Sequence, residues 1–380
     1  MKKILFRKLL LDYMSFFLIA LTSSTIIIWV FQAVNFLDII IEDGRNYLIY
    51  LSYTLLNFPK IFSKLLPFIL FFSLFYVTTK YETKNEYIIY WNFGINKIQI
   101  INFIFKISVI LMLLQIILTS LIVPNTQSLS RSLLRESSAN FIGNFIKPQR
   151  FNDSIKGITI YSEKKDGNGN FYNLYIKKEI GRDNFQITYA KKGIFIEKNN
   201  SNILVLYDGE TINGKGNQIT NFSFSKSDFP LINFETHTIT KTKTQELSTQ
   251  NIINCLALFF KNKKKFQLAP ESDLFEIENC SYKNLNNLYK EIYKRIIIPL
   301  YIPLLMLLPL FLITSSKENE NYSKIKLFTF ITGLLFIIFS ETTIRFISKN
   351  FLQNFVLGLI PVLILIILYL FYLTKFNFKK

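Results

Sequence analysis

Four groups of polar residues interrupt a largely apolar chain, and each has a chemistry of its own. Glu86 opens the run Glu86-Tyr87-Ile88-Ile89-Tyr90-Trp91-Asn92-Phe93-Gly94. An acid in a first helical turn either complements the helix dipole, the plainer reading, or pairs with an arginine of another protein. Glu341 and Arg345 stand four apart in an apolar run, a spacing that puts both on one helix face. Each charge costs about 2.5–3.5 kcal/mol at mid-membrane, so such a pair is either a polar point on a cargo path or an ion pair near the surface. Glu291 and Arg295 repeat the spacing where another apolar run begins. They read as an ion pair that opens the helix or as a contact for a phosphorylated head group, the former being the plainer. Gln32 is a single amide near the end of the first apolar run, a weaker signal of the same kind. None of these is a catalytic constellation. There is no G-x-x-x-x-G-K-[ST], G-x-S-x-G or H-E-x-x-H, so the chain is expected to be no enzyme, with ATP hydrolysis left to a partner subunit. His237 has no cysteine or acid cluster beside it, and neither a metal site nor a cofactor is expected.

The elements that must position these residues are membrane helices. Of 380 residues, 50% are hydrophobic and 16% aromatic. The net charge of +18 invites a nucleic-acid reading, but the lysines are scattered and flank apolar runs, so nucleic acid is not an expected partner. Six runs approach the ~20 residues that cross a bilayer: Phe16–Phe36, Phe62–Val77, Phe103–Val123, Ile296–Ile313, Leu327–Ile347 and Phe355–Leu373. The first lacks a cleavage pattern and reads as an uncleaved span. Asp38, Glu42, Asp43 and Gly44 form an acidic turn after it. Tyr47–Phe58, cut off by Pro59 and Lys60, reads as an interfacial helix, and Pro124 as the close of the third span. Pro299, Pro303 and Pro309 within the fourth are tolerated if neighbours satisfy the freed carbonyls. Between the second and third spans Asn85 is placed to cap the short helix that starts at Glu86, and Gly94 to end it in a left-handed conformation.

Lysine and arginine concentrate on one side: Lys2, Lys3, Arg7 and Lys8; Lys80, Lys84 and Lys97; Lys317, Lys324 and Lys326; Lys375, Lys379 and Lys380. That side is read as cytoplasmic, which puts both termini inside and the central polar region outside. Cys255 and Cys280 can pair if their region is outside, although sequence does not supply their separation.

The central region changes period. Short runs of β-formers (Ile158–Tyr161, Phe171–Ile176, Phe185–Tyr189, Ile194–Ile196, Ile203–Tyr207, Ile219–Phe224, Ile232–Ile239) alternate with turn signals that include Asp208-Gly209 and Asn213-Gly214. The spacing predicts an antiparallel sandwich or open barrel with Ile158, Ile160, Val205, Phe222 and Phe224 inward. The organisation expected is residues 1–124 as spans one to three, 125–284 as an external β domain with flanking helices, and 285–380 as spans four to six.

Read in this order, the chain resembles the LptF/LptG permease family of lipopolysaccharide export, over nearly its whole length. The resemblance rests on Asn85-Glu86-Tyr87 with Asn92-Phe93-Gly94-Ile95-Asn96, similar to the family's Ser-Glu-Leu and Ala-x-Gly-(Ile/Val)-Ser run, with asparagine for serine at both ends. It rests also on Leu65-Leu66-Pro67, on Lys147-Pro148-Gln149-Arg150-Phe151 and on Glu291-Ile292-Tyr293-Lys294-Arg295. The last two lean to the LptF branch, whereas Tyr53-Thr54-Leu55-Leu56-Asn57-Phe58-Pro59 is reminiscent of LptG. The resemblance implies a multi-pass protein of the bacterial inner membrane, an α-helical fold with an inserted jellyroll-like periplasmic domain, and a role as an ABC transporter permease in outer-membrane biogenesis. It implies an LptG-like paralogue as heterodimer partner, a cytoplasmic LptB-like ATPase dimer, LptC/LptA-like bridge proteins, and lipopolysaccharide drawn from membrane lipid. Glu86, Tyr87, Tyr90, Trp91 and Gly94 would couple to the ATPase; Gln32, Glu341, Arg345, Glu291 and Arg295 are candidates for the cargo cavity by position. A receptor or assembly factor whose β domain binds a protein, and an ABC permease for another lipid or lipoprotein, are the competing readings.

Overall fold

Long apolar runs in a chain with few breakers have one cheap solution, helices that satisfy every backbone group internally. The computed structural model describes residues 2–37, 47–139, 148–155, 158–166, 169–179, 184–198, 201–215, 218–230, 243–261, 279–315 and 317–377. The expected acidic turn at Asp38–Gly44, the run Ile232–Ile239 and His237 lie outside them. Among the described residues six helices are long and apolar enough to cross a membrane: span 1 (Lys2–Asn35), span 2 (Tyr47–Thr83), span 3 (Lys97–Leu134), span 4 (Tyr282–Thr314), span 5 (Tyr322–Phe346) and span 6 (Phe351–Phe376). The chain divides into two compact units, residues 1–31, 56–129 and 241–380 in one, 32–55 and 130–240 in the other.

In the first unit, span 4 is the axis. Every residue from Tyr301 to Leu310 is buried, and the segment packs against spans 3, 5 and 6. Span 1 turns a single stripe inward, Leu9, Tyr13, Phe17, Leu21 and Thr25, at the four-residue spacing of one helix face. Gly333 of span 5 lets span 2 come close: a Cβ there would stand 2.0 Å from the Phe71 ring.

Two sequence expectations fail at prolines, and at Pro124 the reason is visible. Tyr47–Phe58 is no separate interfacial helix but the first part of span 2, with Pro59 and Pro67 inside it. Pro124 does not close span 3, which passes through a π turn (Leu118–Ile122) and runs on as helix to Ala139. Proline removes one N–H, and the carbonyl four residues earlier loses its partner. Neighbouring side chains supply it. Gln115 Nε2 donates to Ser63 O (2.8 Å), the carbonyl freed by Pro67. Thr249 Oγ1 donates to Ser120 O, freed by Pro124, and Thr119 Oγ1 to Arg295 O (2.8 Å), freed by Pro299. Tyr293 OH reaches Leu357 O, freed by Pro361, at 3.5 Å. Span 4 takes its own prolines by changing pitch, through a π turn (Tyr293–Ile297), a 3-10 turn (Ile298–Leu300), α-helix (Tyr301–Leu307) and 3-10 helix (Leu308–Thr314).

The second unit carries one antiparallel sheet. Its strands, β1 (Phe151–Ile155), β2 (Ile158–Lys165), β3 (Asn170–Glu179), β4 (Asn184–Lys198), β5 (Ser201–Lys215) and β6 (Gln218–Pro230), pair in sequential order. Among the described residues this is an up-and-down meander, without the crossed strand order of a Greek-key jellyroll, because each strand returns beside the one before it through a short connection. Pairing lapses at one position in each of five strands, and the positions line up: Glu163, Asn173, Lys191, Asp208 and Ser225. Asn173 and Asp208 have φ of 48° and 49°, the left-handed region that these residue types tolerate. Across that line the buried positions change parity: Phe171 and Leu174, Ala190 and Gly193, Leu206 and Gly209 are three apart instead of two. The line is a crease at which every strand steps its pleat. Leu174 beside the crease lies where a Cβ on Gly193 would be, 2.1 Å away. Asp208-Gly209 and Asn213-Gly214 are thus not the hairpin turns their composition suggested. Both lie inside β5, Gly214 beneath the Phe185 ring. Ile158, Ile160 and Val205 are buried as expected, Phe224 is half-buried, and Phe222, on edge strand β6 opposite Thr211, is exposed.

Candidate functional site

The run Glu86–Asn92 is a two-turn helix, α1. Asn85 precedes it but does not cap it in the expected way. Its φ is 58° and its side chain makes no capping bond, because the residue is used to turn the chain sharply after span 2. Gly94 does end the helix left-handed, at φ 68°. Ile95 N–H donates to Tyr90 O (3.0 Å) and Gly94 N–H to Trp91 O (2.9 Å), the paired bonds of a Schellman motif, with Ile95 buried beneath.

The five residues expected to couple to an ATPase are brought together but divide by face. Tyr87 and Tyr90 are 2% exposed and point into the bundle. They pack with Tyr81, ring centroids 5.4 and 6.2 Å away, and Trp91 stacks on Tyr87 at 5.8 Å. Burial pushes the Tyr87 phenol well up from its ordinary value and that of Tyr90 up to about 12, so both remain protonated donors at any physiological pH. Tyr90 OH donates to Leu5 O at 2.9 Å. Glu86 is partly covered and lies 3.5 Å from Lys8 Nζ. Lys97 Nζ sits over the Trp91 ring, 5.7 Å from its centroid. The free face belongs to residues to which the sequence assigned no role: Ile88, Ile89 and Phe93, 50%, 44% and 45% exposed. Their positions relative to Tyr87 and Tyr90 on a 3.6-residue helix could have shown that they face the other way.

The second group is joined but not open. Arg295 is 2% exposed and its guanidinium is nearly saturated. Nε donates to Glu291 Oε1 (3.1 Å), Nη1 to Leu247 O and Thr249 Oγ1 (both 2.9 Å), and Nη2 to Gln245 O (3.1 Å). The fork clasps the strap that precedes a helix at Thr249–Lys261. Arg295 with Glu291 is therefore a structural clasp, not a cavity-facing site, since a head group would find at most one free N–H. Cys255 of that helix and Cys280 form a disulfide, Cα–Cα 5.9 Å, inside a cluster with Leu247, Ile252, Leu285, Leu288 and Tyr293.

Glu341 and Arg345 are both exposed and no ion pair joins them. Span 5 tightens to a 3-10 turn at Thr343–Phe346, which carries Arg345 off the line of Glu341. Gln32 is half-buried in the second unit, its carbonyl accepting from Phe36 N–H at 3.1 Å.

Comparison with known proteins finds a family and a relative. The family described as lipopolysaccharide export system permease LptF/LptG matches residues 7–375. The uncharacterized protein RP871 of Rickettsia prowazekii (strain Madrid E) is 26% identical over 355 residues, covering 92% of this chain and 91% of that protein.

Proposed function

Because the chain belongs to the LptF/LptG family of lipopolysaccharide export permeases, we propose that it is the membrane half of an ABC-type exporter, driven by an ATPase that binds α1. The chain is then no enzyme itself; it draws lipopolysaccharide from the bacterial inner membrane with a paralogous permease and hands it to periplasmic bridge proteins. The observation that carries this reading is α1. It is a short helix with a fixed end, backed by buried tyrosines, that presents Ile88, Ile89 and Phe93 outward beside the partly covered Glu86. An apolar row on a rigid backing is what a groove in a partner can hold.

The disulfide supports the orientation. Cysteines pair stably outside the cytoplasm, and Cys255 and Cys280 follow three spans while α1 follows two, so they fall on opposite sides. The β sheet too follows three spans, so on this reading it lies outside while both termini and α1 are cytoplasmic, which agrees with the lysine distribution. The test is purification of the tagged chain from its own membrane. An ATPase, a paralogous permease and bound lipopolysaccharide should copurify, and Phe93→Asp should lose the ATPase while leaving the chain inserted. Retention of the ATPase by Phe93→Asp together with Ile89→Asp would overturn the docking role of α1.

A further inference from the structure

Helix α1 is joined to its chain neighbours by bends and by ring contacts, Tyr87 and Tyr90 on Tyr81 of span 2 and Trp91 under Lys97 of span 3, and to span 1 by a ladder of polar contacts. Upstream the chain turns at Asn85 (φ 58°), downstream at Gly94 (φ 68°) and the extended Asn96. Against span 1 the contacts are regular. Lys2 Nζ donates to Gly94 O at 2.9 Å. Tyr90 OH donates to Leu5 O at 2.9 Å. Lys8 Nζ lies 3.5 Å from Glu86. Tyr81 OH, on the last turns of span 2, donates to Asp12 Oδ2 at 2.6 Å. As the partners advance from residue 2 to residue 12 in span 1, they retreat from 94 to 81 on the other side. The two segments run antiparallel, with a rung at nearly every turn. Leu9 is buried between the rungs and packs in the same apolar cluster as Tyr87 and Tyr90.

Among the described residues no hydrogen bond or ion pair joins α1 to span 5. Lys317 N and Nζ meet Glu82 (3.2 Å) and Thr83 O (3.3 Å) at exposed positions, and both partners belong to the end of span 2. A seven-residue helix does not hold its own shape; it moves with whatever it is fastened to.

We infer that α1, the Tyr81 turn of span 2 on which it packs, and the first three turns of span 1 move as one piece, so that span 1 carries a displacement of α1 into the membrane. Lys2, Lys8 and Asp12 are its positioning residues: through Gly94, Glu86 and Tyr81 they decide that a push on α1 is passed to span 1. The inference rests on the coupling role proposed above and names the route by which that role acts.

The test uses the full chain in proteoliposomes with its copurified partners, reading lipopolysaccharide released per ATP hydrolysed. Lys8→Met combined with Tyr81→Phe should keep the ATPase bound and hydrolysing, and should lower that ratio at least about fivefold, the worth of one hydrogen bond. Lys8→Arg, which keeps the rung, should leave the ratio unchanged. A distance measurement covers the case in which the double variant fails to fold. Spin labels at Ile4→Cys and Asn92→Cys, specific because the native cysteines are paired, should keep their separation when ATP is added. A change in that separation, or an unchanged ratio in the double variant, overturns the inference. If no ATPase copurifies with the native chain, the coupling reading itself falls, and this inference with it.

Discussion

Arg295 shows how far a residue's type can be read without its surroundings. Its spacing from Glu291 was visible in the sequence; its use was not, because Gln245, Leu247 and Thr249 lie some 50 positions earlier and only the fold brings them near. Arg295→Met should destabilise the purified protein by about 3 kcal/mol, since it leaves Glu291 with Lys294 alone, 4.0 Å away, and three acceptors unpaired; a thermal unfolding scan in detergent reads this. Arg295→Lys should rescue little, because an ammonium cannot span the fork. Tyr90→Phe is the contrast. It removes one bond to a backbone oxygen and should cost about 1 kcal/mol in the same scan. Glu341 and Arg345 had the same sequence spacing as Glu291 and Arg295 and a different fate: the helix tightens to a 3-10 turn at Arg345, whereas Glu291 and Arg295 meet across a π turn.

At the scale of elements, what was legible was what composition repeats over many residues. All six spans were evident from their apolar runs, and most strands from their β-formers. Boundaries set by single residues were not. Proline and Asp-Gly carry their usual local preferences, but here a neighbouring hydroxyl, amide or strand makes use of the conformation that results. Thr119→Val should therefore cost about 1–3 kcal/mol by leaving the Arg295 carbonyl unpaired, and suppression by a second change, Pro299→Ala, would identify the carbonyl as the cause. In the sheet, Gly193→Ala forces Leu174 from its place beside the crease. The loss should be about 1–3 kcal/mol, measurable as faster protease cleavage of the β domain. Gly94→Ala meets open space but an unfavourable φ, and should weaken only the end of α1, by about 1 kcal/mol.

For the whole molecule, the plan of three spans, an inserted β region and three spans was readable from the sequence, whereas the pairing of Cys255 with Cys280 needed the fold. Two thiols 25 positions apart are compatible with many structures, and only the packing of the Thr249–Lys261 helix on the start of span 4 sets them within reach. Reducing the bridge should lower stability by about 3 kcal/mol on the loop-closure estimate, read as a drop in unfolding temperature after dithiothreitol. Both cysteines precede the fourth span, so the bridge can close while the last three are still being made. On the orientation proposed above, closing the bridge takes a thiol oxidant outside the cytoplasm. If the chain exports lipopolysaccharide as proposed, a reductive shock should lower surface lipopolysaccharide through newly made chains first, before any nucleotide supply fails.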